Sequence, residues 1–397
     1  MSALKPGWLK WLLSLPQQAA ALLKGKADTI AYSIAEAPSA LRLSVQKEAL
    51  RRVKEQAVRL LSAPAGETPS ISPEDESLIR WLRDETARRN RNNVTRTGAY
   101  LDMYAAHPEL HWALLAHLVS RNGGFTMTDL KGELLPRLLG AGQREALFRF
   151  LERANGLIFH DAYPQLLLYR ESARSGRSLT RLLPRLGVSA FMRPVWDEFA
   201  TSRDSVLLTC ALIVNEQQYI QRRVVDNPYF KKHVLDTLAF KTQSLLQLNQ
   251  VVFPYEVPER GTSRVRLAGL ILENFADLAE RIRFGQRLYA ILFGLPDVAA
   301  GAHAFVRRQP HTGSVPIIGR SCSPPCAAAP PSWPITRSSP AVQARASFPA
   351  PPPSTARGSN TLGETVLSPR PSQAIGSVTS RLCSCCRNRS PRPFRST

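Results

Sequence analysis

The chain has 397 residues and a formal net charge of +21, but the charge is unevenly distributed. Residues 315–397 contain 10 Arg, one Glu, 15 Pro and 15 Ser, so nine of the excess positive charges lie in this segment. The rest of the chain is only mildly basic, and the composition therefore gives no strong nucleic-acid signal. No apolar run approaches the ~20 residues that a membrane-spanning helix needs.

The first part of the chain predicts helix. Leu, Val and Ala recur at helical spacing over residues 17–62, and a Pro-, Gly- and Ser-rich linker follows over residues 63–73. Ser72 is a suitable N-cap and Pro73 a suitable first residue for the next helix. This start opens a predicted domain over residues 74–314.

Helix signals continue through that domain. We expect a helix from about Pro108 to Arg121, ended by the C-cap signal Asn122-Gly-Gly124, with the next helix opening at Thr126 or Thr128. Residues 142–154 predict another helix, closed by Asn155-Gly156.

Longer helical patterns cover residues 204–225 and 267–293, and only residues 250–255 look extended. No internal repeat of fixed period is apparent. The sequence therefore predicts an all-α fold, in which a multi-helix globular domain follows an N-terminal helical segment over residues 1–62.

Residues 315–397 predict a disordered Ser/Pro/Arg-rich tail. Five of the six cysteines of the chain fall in it, which leaves Cys210 alone in an apolar run. Regrouping the codons one base back after Ser314 permits Arg-Ala-Asp-Tyr-Trp-Pro-Leu-Leu-Phe, a mixed and aromatic sequence. We therefore hypothesise that the tail is translated out of frame.

Polar residues concentrate between Asn90 and Lys131, beside a helix that is apolar almost all round and is therefore expected to be buried. Buried polar groups need partners, and arginine pairs well with phosphate or carboxylate. The predicted ligand- or anion-binding residues are Arg91, Asn92, Asn93, Arg96, His111, His117, Arg121, Asn122 and Asp129. The alternative is a solvated helix face whose arginines pair with nearby acids.

A metal site is a weaker hypothesis. His111 and His117 lie six positions apart, about 120° around a helix, so further ligands such as His160 or Glu216 would be required. No cofactor-binding motif, Walker A loop or nucleophile elbow occurs before the tail. Catalytic residues therefore cannot be assigned, and no cofactor is identifiable.

Location and partners are predicted from two further features. The isolated Cys210 favours a reducing compartment, which predicts a cytoplasmic protein. Residues 8–15, which contain two Trp, are apolar enough for weak contact with a membrane surface, although an amphipathic helix that packs on the protein itself is the favoured explanation. The partner and the oligomeric state are not predicted.

Several polar motifs, Asn90–Tyr100, His107–Lys131, Asn215–Val225 and Pro310-His-Thr-Gly-Ser314, resemble those of the uncharacterised Firmicutes YppC-like family, a domain of unknown function. The resemblance covers about residues 74–314 and implies a bacterial protein, without an assigned activity. In that family the last motif runs on into Arg-Ala-Asp-Tyr-Trp-Pro, whereas here the match stops at Ser314.

Three functions remain open. The first is a helical binding or scaffold protein with a polar internal cleft. The second is a metal- or phosphate-dependent hydrolase that uses the same His, Arg and Asn residues. The third is association with nucleic acid or an anionic membrane through the basic residues 1–73 and the tail.

Overall fold

The computed structural model describes residues 43–62, 71–132, 135–241, 249–259 and 262–313. The membrane-surface segment, most of the linker and the tail, with its predicted disorder and frame change, lie outside these residues.

The described residues form a helical protein with a single two-stranded sheet, so the predicted all-α class is confirmed. Its α-helices are α1 (Lys47–Ser62), α2 (Pro73–Arg89), α3 (Asn93–Ala106), α4 (His111–Asp129), α5 (Leu135–Leu138), α6 (Ala141–Ser175), α7 (Met192–Ser202), α8 (Ser205–Ile220), α9 (Pro228–Phe230), α10 (Leu238–Lys241), α11 (Leu278–Gly294) and α12 (Pro296–Arg308). A 3₁₀ helix (Thr180–Leu186), two π-helical turns (Gln221–Val225, Lys231–Leu235) and strands β1 (Gln250–Glu259) and β2 (Thr262–Ile271) complete the set.

The predicted start of α2 is confirmed. The Ser72 side chain accepts a hydrogen bond from the backbone N–H of Asp75 at 3.2 Å, and Pro73 is the first helical residue. A serine cap and a proline at this position satisfy or remove backbone donors that a helix start leaves unpaired. The signal is local, which explains why the sequence was sufficient to place it.

Two predicted helix ends are wrong. Helix α4 continues through Gly123 and Gly124 to Asp129. Helix α6 continues through Asn155 and Gly156 to Ser175 and is 35 residues long in total. In both cases a neighbouring segment packs directly on the glycine. A Cβ on Gly124 would lie 2.2 Å from the Asn93 side chain, so the absence of that atom serves packing rather than helix termination.

The predicted extended segment belongs to β1, but the expected helix over residues 267–293 is wrong in its first part. Residues 262–271 instead form β2, which pairs antiparallel with β1, and α11 begins at Leu278. A lone hairpin is marginally stable and needs packing against other elements. That packing comes from α12, where a Cβ on Gly301 would lie 2.3 Å from the Glu256 carbonyl oxygen.

Residues 221–230 and 231–240 form a short tandem repeat, whereas the sequence analysis found no internal repeat. Each copy is one π-helical turn followed by a capped α-turn, and the N–H of Asp226 and that of Asp236 each donate to a carbonyl five residues back at 2.8 Å. The two apolar residues before each aspartate are buried. The repeat is also present in the sequence, where Val, Asp and Phe recur ten residues apart, at 224 and 234, 226 and 236, and 230 and 240.

The main core is built from the described helices and the inner face of the hairpin. Its largest fully buried apolar side chains include Trp112, Phe159, Phe199, Tyr289 and Phe305. Helix α1 also contributes, through Ala49 and Val53, so it packs on the same core as the helices after the linker. The boundaries at residues 63–73 remain a prediction.

No helix in the described part of the chain is by itself long and apolar enough to cross a membrane. Helices α11 and α12 reach the necessary length and composition only as a pair bent by 91°.

Candidate functional site

Polar side chains join α3 to α4 inside the protein. The Asn93 side-chain N–H₂ donates to the Ser120 carbonyl oxygen at 2.9 Å and to the Ser120 hydroxyl at 3.1 Å. The Ser120 hydroxyl in turn lies 2.8 Å from the Thr97 hydroxyl, and all three residues are buried. Because the amide N–H₂ faces a carbonyl, the Asn93 side-chain oxygen is fixed as an acceptor on the opposite side.

His117 is 1% exposed and holds one defined tautomer. Its Nδ1 lies 2.8 Å from the Thr97 carbonyl oxygen, which can only accept, so Nδ1 donates and Nε2 carries a lone pair. Burial, together with the nearby charge of Arg121, lowers the pKa of His117 to about 3, although the Thr97 bond acts in the opposite direction. The imidazole is therefore neutral at pH 7, and its buried Nε2 has no hydrogen-bond partner among the described residues.

His311 reaches the same place from the end of the described chain. Its Nε2 lies 2.7 Å from the Asn93 side-chain oxygen and must donate to it, so Nδ1 carries the lone pair. Burial, and then the charge of Arg121, lower the pKa of His311 to about 4. His311 Nδ1 is also buried, and no described residue provides it with a hydrogen-bond partner.

Arg121 lies four residues after His117, on the same face of α4. Its side chain is 1% exposed, and its Nη1 donates to the Gln309 carbonyl oxygen at 2.6 Å. The guanidinium also lies over the Phe125 and Phe305 rings, at 5.6 and 5.3 Å from their centroids. Its Nε and Nη2 are buried and have no hydrogen-bond partner in the described part of the chain.

The charge of Arg121 lacks a counter-ion among the described residues, since no carboxylate there lies within 4 Å of it. Burial lowers its pKa to about 10, so it stays charged at neutral pH. We call His117, Arg121 and His311 the imidazole–guanidinium site. It presents two unpartnered cationic N–H donors and two unpartnered imidazole acceptors.

Among the other predicted site residues, three contact different partners. Arg96 is buried but turns to α6, where its Nη2 donates to Glu152 at 2.6 Å. Asn122 bonds β1, donating to the Val252 carbonyl oxygen at 2.8 Å and accepting from the Val252 N–H at 3.1 Å. His111 stacks on Phe293 at 3.9 Å and lies 2.9 Å from the Tyr289 hydroxyl.

The remaining predicted residues lie at the surface or in a separate network. Arg91 and Asp129 are exposed, and Asn92 caps α3 through its bond from the Thr95 N–H at 3.0 Å. His160 is exposed on α6. Glu216 accepts a hydrogen bond from the Trp112 indole at 3.2 Å, and burial raises its pKa to about 8.

A second buried network joins α6 to α8. The Asn215 side chain donates to Asp161 at 2.5 Å, and Gln165 donates to the same carboxyl oxygen at 3.1 Å. Gln165 accepts in turn from the Trp196 indole at 2.9 Å. Burial raises the pKa of Asp161 to about 7, more than the Asn215 bond lowers it.

The structure also bears on the metal hypothesis. His111, His117, His160 and Glu216 lie in four different surroundings, and within the described ranges no group of three or more His, Cys, Asp or Glu could hold a metal ion.

Sequence reasoning missed His311 as a site residue. Its signal was present in Pro310-His-Thr-Gly-Ser314, which was used only for the family resemblance. Gly124 was interpreted as a helix end, although it makes room for the bond between Asn93 and His311: a Cβ there would lie 2.6 Å from His311 Nε2.

Comparison with known proteins confirms the resemblance. Residues 88–346 match the model of a family described as "Protein of unknown function (DUF2515)". The uncharacterized protein YppC of Bacillus subtilis (strain 168) is 43% identical over 237 residues, which span 60% of this chain and 72% of that protein. No solved structure matches. The family match runs past Ser314, and the proposed frame change remains a prediction.

Proposed function

We propose that this chain, which belongs to the Firmicutes family of unknown function DUF2515, is a binding protein that holds a small anion at the imidazole–guanidinium site. A cytoplasmic location is part of the proposal and is supported by the sequence, which has one cysteine before residue 315.

One observation carries the proposal: Arg121 is a buried cation whose Nε and Nη2 have no partner and whose charge meets no carboxylate among the described residues. An unpaired buried charge is costly, and a guanidinium pairs best with a carboxylate or phosphate. The Phe125 and Phe305 faces compensate part of this cost, but they do not satisfy the two N–H groups.

The two imidazoles narrow the class of anion. The lone pairs on His117 Nε2 and His311 Nδ1 accept hydrogen bonds, so the preferred ligand carries a proton donor as well as negative oxygens. Hydrogenphosphate and hydroxy-carboxylates satisfy both requirements. Sulfate satisfies the guanidinium but offers no proton to either imidazole.

Titration calorimetry of the full chain at pH 7, with phosphate and with sulfate, tests the proposal. Wild type should bind phosphate about tenfold more tightly than sulfate, which corresponds to one added hydrogen bond. Arg121→Gln should abolish phosphate binding, whereas Arg91→Gln, at an exposed position outside the site, should leave it unchanged. Wild-type protein that binds neither anion at millimolar concentration would contradict the proposal, as would equal affinity for the two.

The hydrolase and the nucleic-acid or membrane hypotheses remain predictions. The metal-dependent form of the hydrolase lacks a set of three potential metal ligands among the described residues. The segments that would bind nucleic acid or a membrane lie largely outside those residues.

A further inference from the structure

A cavity of about 250 Å³ lies between the C-terminal end of α6, the 3₁₀ helix and α7. None of its lining residues belongs to the imidazole–guanidinium site, so whatever binds there is independent of the proposed function. At roughly 30 Å³ per water molecule, the volume corresponds to about eight waters, which suits a small organic molecule.

One wall of the cavity is aromatic and fixed in place. Tyr169 and Trp196 stack with ring centroids 5.6 Å apart and an interplanar angle of 29°. The Trp196 indole N–H donates to Gln165, which is itself held by the buried Asp161. Leu168 and Leu183 add aliphatic surface. Because the rings are held by buried partners, this wall is preorganised for a flat or apolar group.

Arg203 also lines the cavity and adds a positive charge opposite in character to the apolar wall. Its backbone is left-handed, with φ 53°, and it is the only non-glycine residue with positive φ in the described part of the chain. Such a conformation is uncommon for a long side chain and points to a positional constraint.

The guanidinium of Arg203 is held over the Tyr169 and Phe199 rings, and its Nη1 donates to the Tyr169 hydroxyl. No carboxylate of the described ranges lies within 4 Å of it. Arg203 is exposed, and the Tyr169 hydroxyl that it contacts itself donates to Glu109 at 2.8 Å; the other N–H groups of Arg203 can face a ligand in the cavity.

A second cation, Arg177, stands at the rim. It faces Asp75 Oδ1 at 3.9 Å, which is longer than a hydrogen bond, whereas Arg181 donates to the other carboxylate oxygen of Asp75 at 2.6 Å. No acidic side chain lines the cavity. The Thr180 and Ser172 hydroxyls also line the cavity, but both already donate hydrogen bonds. Thr180 donates to Asp197, and Ser172 donates to the Leu168 carbonyl oxygen.

We propose that this cavity binds a small carboxylate with an apolar or aromatic body, whose carboxylate pairs with Arg203 and whose body lies on the Tyr169–Trp196 wall. Guanidinium forks match carboxylates, and the two cations at the cavity disfavour cationic ligands.

Titration calorimetry on the full chain with three probes tests the proposal. Phenylacetate should bind with a dissociation constant of ~1 mM or tighter. Phenylacetamide, which keeps the body and lacks the charge, and acetate, which keeps the charge and lacks the body, should each bind at least about tenfold more weakly.

Two variants test whether phenylacetate binds in this cavity. Arg203→Asn removes the guanidinium while keeping a residue that tolerates the left-handed backbone, and it should weaken phenylacetate binding about tenfold or more. Ala200→Leu should abolish binding by filling the cavity from an exposed helical position, where the protein still folds. Arg174→Gln, on the same helix as Tyr169 but outside the lining, is the matched control.

Absence of phenylacetate binding, or equal affinity for phenylacetate and phenylacetamide, would overturn the proposal. Unchanged binding in both Arg203→Asn and Ala200→Leu would do the same. Arg121→Gln should leave phenylacetate binding intact, which separates this result from the fate of the phosphate proposal.

Discussion

Gly124→Ala should destabilise the protein, although alanine is the better helix former. The added Cβ would lie 2.2 Å from the Asn93 side-chain oxygen and 2.6 Å from His311 Nε2. Both atoms belong to one 2.7 Å hydrogen bond, and Asn93 is also held by two bonds to Ser120. The new methyl group therefore cannot be accommodated without breaking a buried bond or moving α3.

The size of the effect follows from two opposing contributions. Overpacking and the loss of one buried hydrogen bond together cost about 2–5 kcal/mol. The gain in helix propensity from glycine to alanine returns about 1 kcal/mol, which leaves a net loss of about 1–4 kcal/mol. Gly98→Ala, in the interior of α3, meets nothing within 4 Å of its new Cβ and should stabilise by about 0.5–1 kcal/mol.

Urea unfolding followed by circular dichroism measures both free energies of unfolding. The two variants make the same chemical change in neighbouring helices, so propensity predicts the same sign for both. The structure predicts opposite signs. If Gly124→Ala stabilised the protein as Gly98→Ala does, then Gly124 would have room for a side chain and the placement of His311 against α4 would be wrong.

Two further predictions concern buried polar groups. Burial raises the pKa of Asp161 to about 7, above its unfolded value of about 4, so its contribution lowers stability as the pH rises through that interval, by up to about 4 kcal/mol. Asp161→Asn should remove this loss, so the difference in free energy of unfolding between the variant and wild type should change between pH 5 and pH 8, as measured by urea unfolding. The same difference at both pH values would contradict the raised pKa of Asp161. Asn122→Asp removes the donor that bonds the Val252 carbonyl oxygen and should speed amide exchange of β1, whereas exchange as slow as in wild type would show that this bond does not hold the strand.

The parts of the fold that were predictable depend on neighbouring residues. The Ser72 cap and the helical class follow from signals within one or two turns. Strand β2 and the continuation of α4 do not, because their reasons lie far along the chain. Strand β2 pairs with β1, which packs on Gly301 of α12, and Gly124 faces His311. Gly124 was interpreted locally as a helix end, whereas in the fold both glycines allow a close contact with a distant segment.

The site shows the same division. His117 and Arg121 were predicted as site residues because they lie on a helix that is apolar almost all round, and their four-residue spacing places them on one face of it. His111, six residues before His117, was also included and instead lies beside Tyr289. No spacing rule could bring in His311, which is 218 residues from its partner Asn93. His311 belongs to the site because α12 leads the chain back to α4.

That return gives a physical reason for placing the site where three distant segments meet. Arg121 bonds the carbonyl oxygen of Gln309, and the next residue, Asn122, bonds both polar backbone groups of Val252 in β1. Consecutive residues of α4 thus hold the end of α12 and the hairpin on which α12 packs. An anion that neutralises Arg121 removes the cost of its buried charge only when this arrangement is intact. The proposed anion binding therefore predicts a thermodynamic linkage with the docking of residues 309–313, in which each stabilises the other.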